Sequence, residues 1–295
     1  MIRLRSLIAA LACLAAPSRP ALAAESSVVA LAVTDGEHGG GRIHVAARFG
    51  NVLGTMRLDT GASSTRLRAA PWNAELPPVG RSESESASGR TTRCEDVEAQ
   101  NVQLVAEEGN NIGRGKYVVT RCEESGGDDL LGLDFFRNAR FTLDLDGRRM
   151  MFPGAAGPLA PLRRLGPDGR LVGVGTRLGR TEAIGLVDSG AELSAVDRRF
   201  LERHRSLFKP AREKAHASDA SGAAISAKLY KVAEIDLGQG RVLRDLYVIA
   251  YDFGPLRRAL GRDAPLILGV NALRPLLWTF DFTTPDAPQW RADPR

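Results

Sequence analysis

Thr55-Met56-Arg57-Leu58-Asp59-Thr60-Gly61-Ala62 and Ile184-Gly185-Leu186-Val187-Asp188-Ser189-Gly190-Ala191 read as two copies of one phrase. In each, an apolar strand runs into an acid, a hydroxyl residue, a glycine and an alanine. One Asp-Thr/Ser-Gly triplet is ordinary turn chemistry. Two in matched settings point to a paired-carboxylate site, in which neighbouring acids share a proton and their apparent pKa values split.

The copying continues outward. Gly50 and Gly179 each lie nine residues before their acid, where a hairpin turn would feed the acid-bearing strand. Ser88-Gly89 answers Ser221-Gly222. Leu131-Gly132-Leu133-Asp134 answers Leu268-Gly269-Val270-Asn271, and Thr142-Leu143-Asp144-Leu145 answers Thr279-Phe280-Asp281-Phe282. The offset grows from 129 at the acids to 133 and then 137, and the order never changes. That is a duplication with small insertions. The Pro- and Gly-rich stretch 154–164 is the natural joint between residues 25–153 and residues 165–295.

Residues 1–24 carry Arg3 and Arg5, an apolar run from Leu7 to Ala16 and small residues before Glu25, the pattern of a cleavable export signal. An alternative is lipid anchoring through Cys13. No later stretch is long and apolar enough to span a bilayer. Removing the signal lowers the net charge from +5 to +2, with 37 basic against 35 acidic residues. So small an excess gives no reason to expect a nucleic-acid partner. Cys94 and Cys122 then remain, and in an exported chain two cysteines are expected to pair, a buried free-thiol pair being the alternative. The histidines show no ligand spacing, so no metal and no cofactor is expected.

Strand patterns dominate. Ile43–Phe49 alternates, and 117–120, 229–235 and 246–250 look similar. Residues 80–90 and 106–115 read as loops. Asp197 is placed to cap a helix over 198–207, and the segments after Gly132 and Gly269 have room for one or two helical turns. Asp144 and Asp281 read as structural acids on an exposed edge.

The chain resembles the aspartic proteases, most closely the retropepsin-like branch. Asp59-Thr60-Gly61-Ala62 and Asp188-Ser189-Gly190-Ala191 match that family's active-site motif. Leu130-Leu131-Gly132 and Ile267-Leu268-Gly269 match its second signature. The resemblance implies a mainly β fold of two similar retropepsin/pepsin-like β-barrel lobes related by pseudo-two-fold symmetry, with short helices. It implies an aspartic endopeptidase with Asp59 and Asp188 as the catalytic pair and Thr60, Gly61, Ala62, Ser189, Gly190 and Ala191 as supporting loops. Flaps would lie around Ser88, Gly89, Ser221 and Gly222. The substrate would be an extended peptide, the chain a monomer holding both half-sites, and the location periplasmic or secreted. The rival reading is a peptide-binding or regulatory envelope protein with the same fold and little or no catalysis.

Overall fold

The computed structural model describes residues 26–123, 127–218 and 224–295. The signal, Cys13, Ser221 and Gly222 lie outside these described residues. In chain order the strands of the first half are β1 Ser27–Asp35, β2 Gly41–Phe49, β3 Val52–Leu58, β4 Arg66–Arg68, β5 Pro78–Glu85, β6 Thr91–Leu104, β7 Ile112–Cys122, β8 Leu130–Leu131, β9 Arg140–Asp144 and β10 Arg149–Phe152. Those that follow are β11 Ala160–Pro161, β12 Arg163–Leu165, β13 Leu171–Leu178, β14 Thr181–Val187, β15 Ser194–Asp197, β16 Phe208–Ser218, β17 Ala224–Gly238, β18 Arg241–Tyr251, β19 Leu266–Leu268, β20 Leu277–Asp281 and β21 Gln289–Asp293. Helices are short: α1 Arg198–Arg203, α2 Arg257–Leu260, α3 Val270–Leu273 and single 3-10 turns, one of them at Leu133–Phe136. No helix among the described residues is long and apolar enough to cross a membrane.

The protein is mainly β, with two barrel-like sheets. One runs β12-β13-β14-β19-β15-β18-β17-β16 and curls so that β13 also meets β17. The other runs β11-β21-β20-β9-β10-β1-β2-β3-β8-β4-β7-β6-β5, and there β2 also meets β6. The alternation in β2 explains its place: Ile43, Val45, Ala47 and Phe49 are buried while Arg42 and Arg48 point outward. Gly50 (φ 56°) and Gly179 (φ 60°) turn the chain into β3 and β14, in a left-handed conformation that glycine adopts without Cβ strain.

The pairings around the acids recur. β3 runs parallel to β8 as β14 runs parallel to β19, and β4 runs parallel to β7 as β15 runs parallel to β18. The repeat-matched strands β9 and β20 pair with each other, antiparallel, with Thr142 opposite Thr279 and their hydroxyls 2.8 Å apart. Phe141, Phe280, Phe282 and Trp278 stack around this junction with centroids 5.5–6.4 Å apart. Each such ring contributes about 2–3 kcal/mol by burial.

Cys94 and Cys122 are bonded, with Cα atoms 4.4 Å apart, as cross-strand partners in β6 and β7. Closing a loop of 28 residues stabilises the chain by roughly 3–4 kcal/mol on the chain-entropy account. A disulfide accords with export to an oxidising compartment.

Several local expectations are corrected. Residues 80–90 are not simply loop: β5 and β6 form a long hairpin whose turn is Ser86–Arg90. Residues 112–115 open β7. The joint at 154–164 contains β11 and the start of β12, because Ala160 and Pro161 pair with β21. Asp197 does not cap α1; its carboxylate accepts from Arg257 at 2.8 Å. Asp144 is buried, not on an exposed edge, and accepts from the Gly147 amide, Arg149 and Arg295.

Candidate functional site

Asp59 and Asp188 meet. Each leaves a strand whose last residues are locked by a parallel neighbour: the Asp59 amide donates to Leu131 O and the Asp188 amide to Leu268 O, both at 3.0 Å. Each then turns sharply, with Ala62 N–H returning to Asp59 O at 3.2 Å and Ala191 N–H to Asp188 O at 3.3 Å. The carboxylates accept from amides in their own turns, Gly61 to Asp59 at 3.0 Å and Gly190 to Asp188 at 2.9 Å.

The hydroxyl residues tie the two turns together. Thr60 Oγ1 donates to Val187 O at 2.9 Å and accepts from the Ser189 amide at 3.0 Å. Ser189 Oγ donates to Leu58 O and accepts from the Thr60 amide, both at 3.0 Å. All four bonds are buried, and each contributes about 1 kcal/mol net. The glycines make way for the opposite acid. A Cβ on Gly61 would lie 2.4 Å from Asp188 Cγ, and one on Gly190 would lie 2.4 Å from Asp59 Cγ.

Burial raises the pKa of Asp59 above the ordinary carboxylate range, against the pull of Arg57. Burial, and then the charge of Asp59, push Asp188 up to about 8. Each carboxyl lies against the glycine of the opposite turn, which brings the two acids together. At neutral pH the pair therefore holds one proton and presents both a donor and an acceptor to anything above it.

What lies above is a cleft of about 300 Å³. Both acids, Gly61, Ala62, Gly190 and Ala191 line it, together with Glu83–Ala87 of the hairpin. The hairpin tip forms a roof. Tyr251, at the end of β18, donates its hydroxyl to Ala87 O at 3.0 Å, and Gly89 abuts Pro255. Ser88 and Gly89 thus sit in the roof turn; Gly222 and Ser221 lie outside the described residues.

Two residues escaped the sequence reading. Arg57 is buried and donates from Nη2 to Gly190 O at 2.6 Å, fastening β3 to the opposite turn. Its signal was present: a cation within an apolar strand, where the copy has Leu186. Tyr251 closes an apolar strand with a polar tip, a weaker signal.

No protein-family model matches the chain, and no curated protein matches it. Among solved structures it is similar to basic 7S globulin from soybean, at 13% identity and TM-score 0.55, over 90% of this chain and 94% of that one. It is also similar to conglutin gamma, a basic 7S globulin from lupine seeds, at 10% identity and TM-score 0.57, over 91% and 95%. The likeness is one of fold.

These findings overturn the resemblance to retropepsin-like aspartic proteases as an identification. The aspartic endopeptidase function, the enzyme assignment and the protease description are corrected with it, since the similar structures are globulins and no protease family matches. The physical reason lies in what the motif encodes. Acid-to-amide bonds, crossed hydroxyls and a missing Cβ are all demands of a junction between two turns. They are met whether or not any covalent bond is broken, so the motif specifies the junction rather than an activity.

Proposed function

We propose that this is an exported peptide-binding protein that holds an extended segment in the cleft beneath the β5–β6 hairpin. The observation that carries this reading is the meeting of Asp59 and Asp188 on the floor of a roofed cavity lined from both halves of the chain. A carboxyl pair sharing one proton accepts from a backbone N–H and donates to a backbone carbonyl. An extended backbone offers both groups, and the adjoining apolar wall suits its side chains.

The reading includes two lobes, about 25–153 and 165–295 with a joint at 154–164, related by an approximate two-fold axis. The recurring strand pairings and the Thr142–Thr279 contact support that symmetry. Asp59 and Asp188 are assigned as ligand-contacting residues, with Thr60, Gly61, Ala62, Ser189, Gly190 and Ala191 as their frame. The protein acts as a monomer, in a periplasmic or secreted setting. Its net charge offers no basis for a nucleic-acid partner.

The test is to incubate the mature protein with a diverse peptide mixture, recover what it retains and weigh it by mass spectrometry. Intact, enriched peptides are expected, with retention reduced by Asp188→Asn. Retention of nothing, or recovery of shortened peptides, overturns the reading.

A further inference from the structure

The two walls of the cleft are chemically unlike, and the duplication shows where they diverge. Residues 129 apart occupy matched positions around the acids: Arg57 answers Leu186, and Arg66 answers Ala195. The wall from the second half is apolar, built from Leu171, Leu186, Ile249, Leu260 and Ile267, all buried in one cluster. The wall and roof from the first half carry Arg66, Glu83, Ser84 and Glu85.

The charges around the cleft, including Glu192 from the second half, are unevenly matched. Glu192, at the cleft margin, is matched by Arg42 at 2.7 Å and Arg57 at 4.0 Å. Arg66 bonds Ser84 Oγ at 3.4 Å. Among the described residues no cation lies within ion-pair distance of Glu83 or Glu85, both of which are exposed. The acid pair, holding one proton, adds a further negative charge beneath them. The roofed cavity therefore has an apolar side and a charged side, where Glu83 and Glu85 stand at the rim above Arg66, with the carboxyl pair between.

We propose that the ligand is a basic, amphipathic extended segment. A large aliphatic or aromatic side chain fills the pocket of Leu186, Ile249 and Ile267, and Lys or Arg side chains face Glu83 and Glu85. Successive side chains of an extended strand point to opposite faces, so alternating apolar and basic residues reach both walls at once. The apolar side chain supplies most of the affinity, because it is taken out of water. The basic ones supply preference and salt dependence, since exposed ion pairs are weak and screened.

This inference rests on the peptide-binding reading, and the experiment separates the two. Fluorescence anisotropy would compare the mature protein's affinity for alternating Lys/Leu, Ser/Leu, Glu/Leu and Lys/Ala peptides of equal length. The Lys/Leu peptide should bind about tenfold tighter than the Ser/Leu one at low salt, and the advantage should shrink as salt rises. The Lys/Ala peptide should bind at least tenfold more weakly than Lys/Leu. In the double variant Glu83→Gln, Glu85→Gln, Lys/Leu should fall to the level of Ser/Leu. Both sites are exposed, and thermal melting checks that the variant is folded. Equal or tighter binding of Glu/Leu, or a Lys/Leu preference that survives in the double variant, overturns the inference alone. Failure of every peptide to bind overturns the peptide-binding reading beneath it.

Discussion

Behind the Asp59 turn, Asp134 accepts the Thr65 amide at 2.8 Å and its hydroxyl at 3.1 Å; behind the Asp188 turn, Asn271 takes both from Ser194 at 2.8 Å. The hydroxyls then accept from matched glycine amides, Gly132 to Thr65 at 3.0 Å and Gly269 to Ser194 at 3.1 Å. The bonding pattern is one, and the chemistry differs. Asn271 has a second function as donor to Tyr247 O at 2.8 Å. Asp134 has no donor to offer while ionised, and burial raises its pKa. Tyr117 supplies the donor on this side, giving its hydroxyl to Thr65 Oγ1 at 2.6 Å. The two turns share the geometry that aims the acids, and each satisfies its buried polar atoms in its own way.

The largest effect tests whether the two turns depend on each other equally. Gly61→Ala and Gly190→Ala each drive a Cβ into the opposite acid, so each should cost about 3 kcal/mol and lower Tm by roughly 10 °C. Calorimetry showing one of them harmless would break the equivalence of the turns.

Next comes the exchange behind the turns. Asn271→Asp buries a carboxylate and loses the donor to Tyr247 O, so it should cost about 2 kcal/mol at neutral pH and less near pH 5, where the acid regains a proton. Asp134→Asn should change stability by under about 1 kcal/mol at pH 7, in either direction. Denaturant titrations at both pH values would sharpen the contrast, and equal costs for the two swaps would erase it.

The acid pair gives a pH effect of similar or smaller size. The folded pKa of Asp188 is raised above its unfolded value, so between pH 4 and about 8 the native state holds a proton that the unfolded state has lost. Stability therefore falls as pH rises through that window, by on the order of 2 kcal/mol once contact of the cleft with solvent is allowed for. Asp188→Asn should flatten the slope. Melting curves of the variant that keep the full wild-type pH dependence would assign it elsewhere.

The smallest effect concerns the roof. Tyr251→Phe deletes the hydroxyl's bond to Ala87 O and should lower global stability by about 1 kcal/mol. Amide exchange over residues 86–90 should nonetheless quicken, and peptide association with it. Unchanged exchange there would show that Tyr251 does not hold the hairpin.

The junction was legible because it is written in short-range grammar. Asp59-Thr60-Gly61 and Asp188-Ser189-Gly190 demand a turn, a hydroxyl and a missing Cβ, and the copy doubled the signal. The β5–β6 roof was not, because Ser82–Ser88 has no apolar face; backbone pairing with β6 makes it a strand, not burial. Asp144 was misread because one partner, Arg295, lies at the far end of the chain. Arg57 needed its ligand, Gly190 O, which is 133 residues away. The motif's chemistry was over-read for the same reason that its geometry was read well: the residues that build the crossing are the ones that would serve a reaction.

The seating of β20 and β21 between β9 and β11 bears on how the protein is made. Until residues 277–293 arrive, β9 is a bare strand edge beside uncovered aromatic rings. Thr142 must wait for Thr279, which a ribosome adds on the order of ten seconds later. The edge of β9 therefore stays uncovered while the intervening residues are made, although β2 and β6 can already meet. The same delay leaves that edge free to pair with a wrong neighbour until β20 covers it.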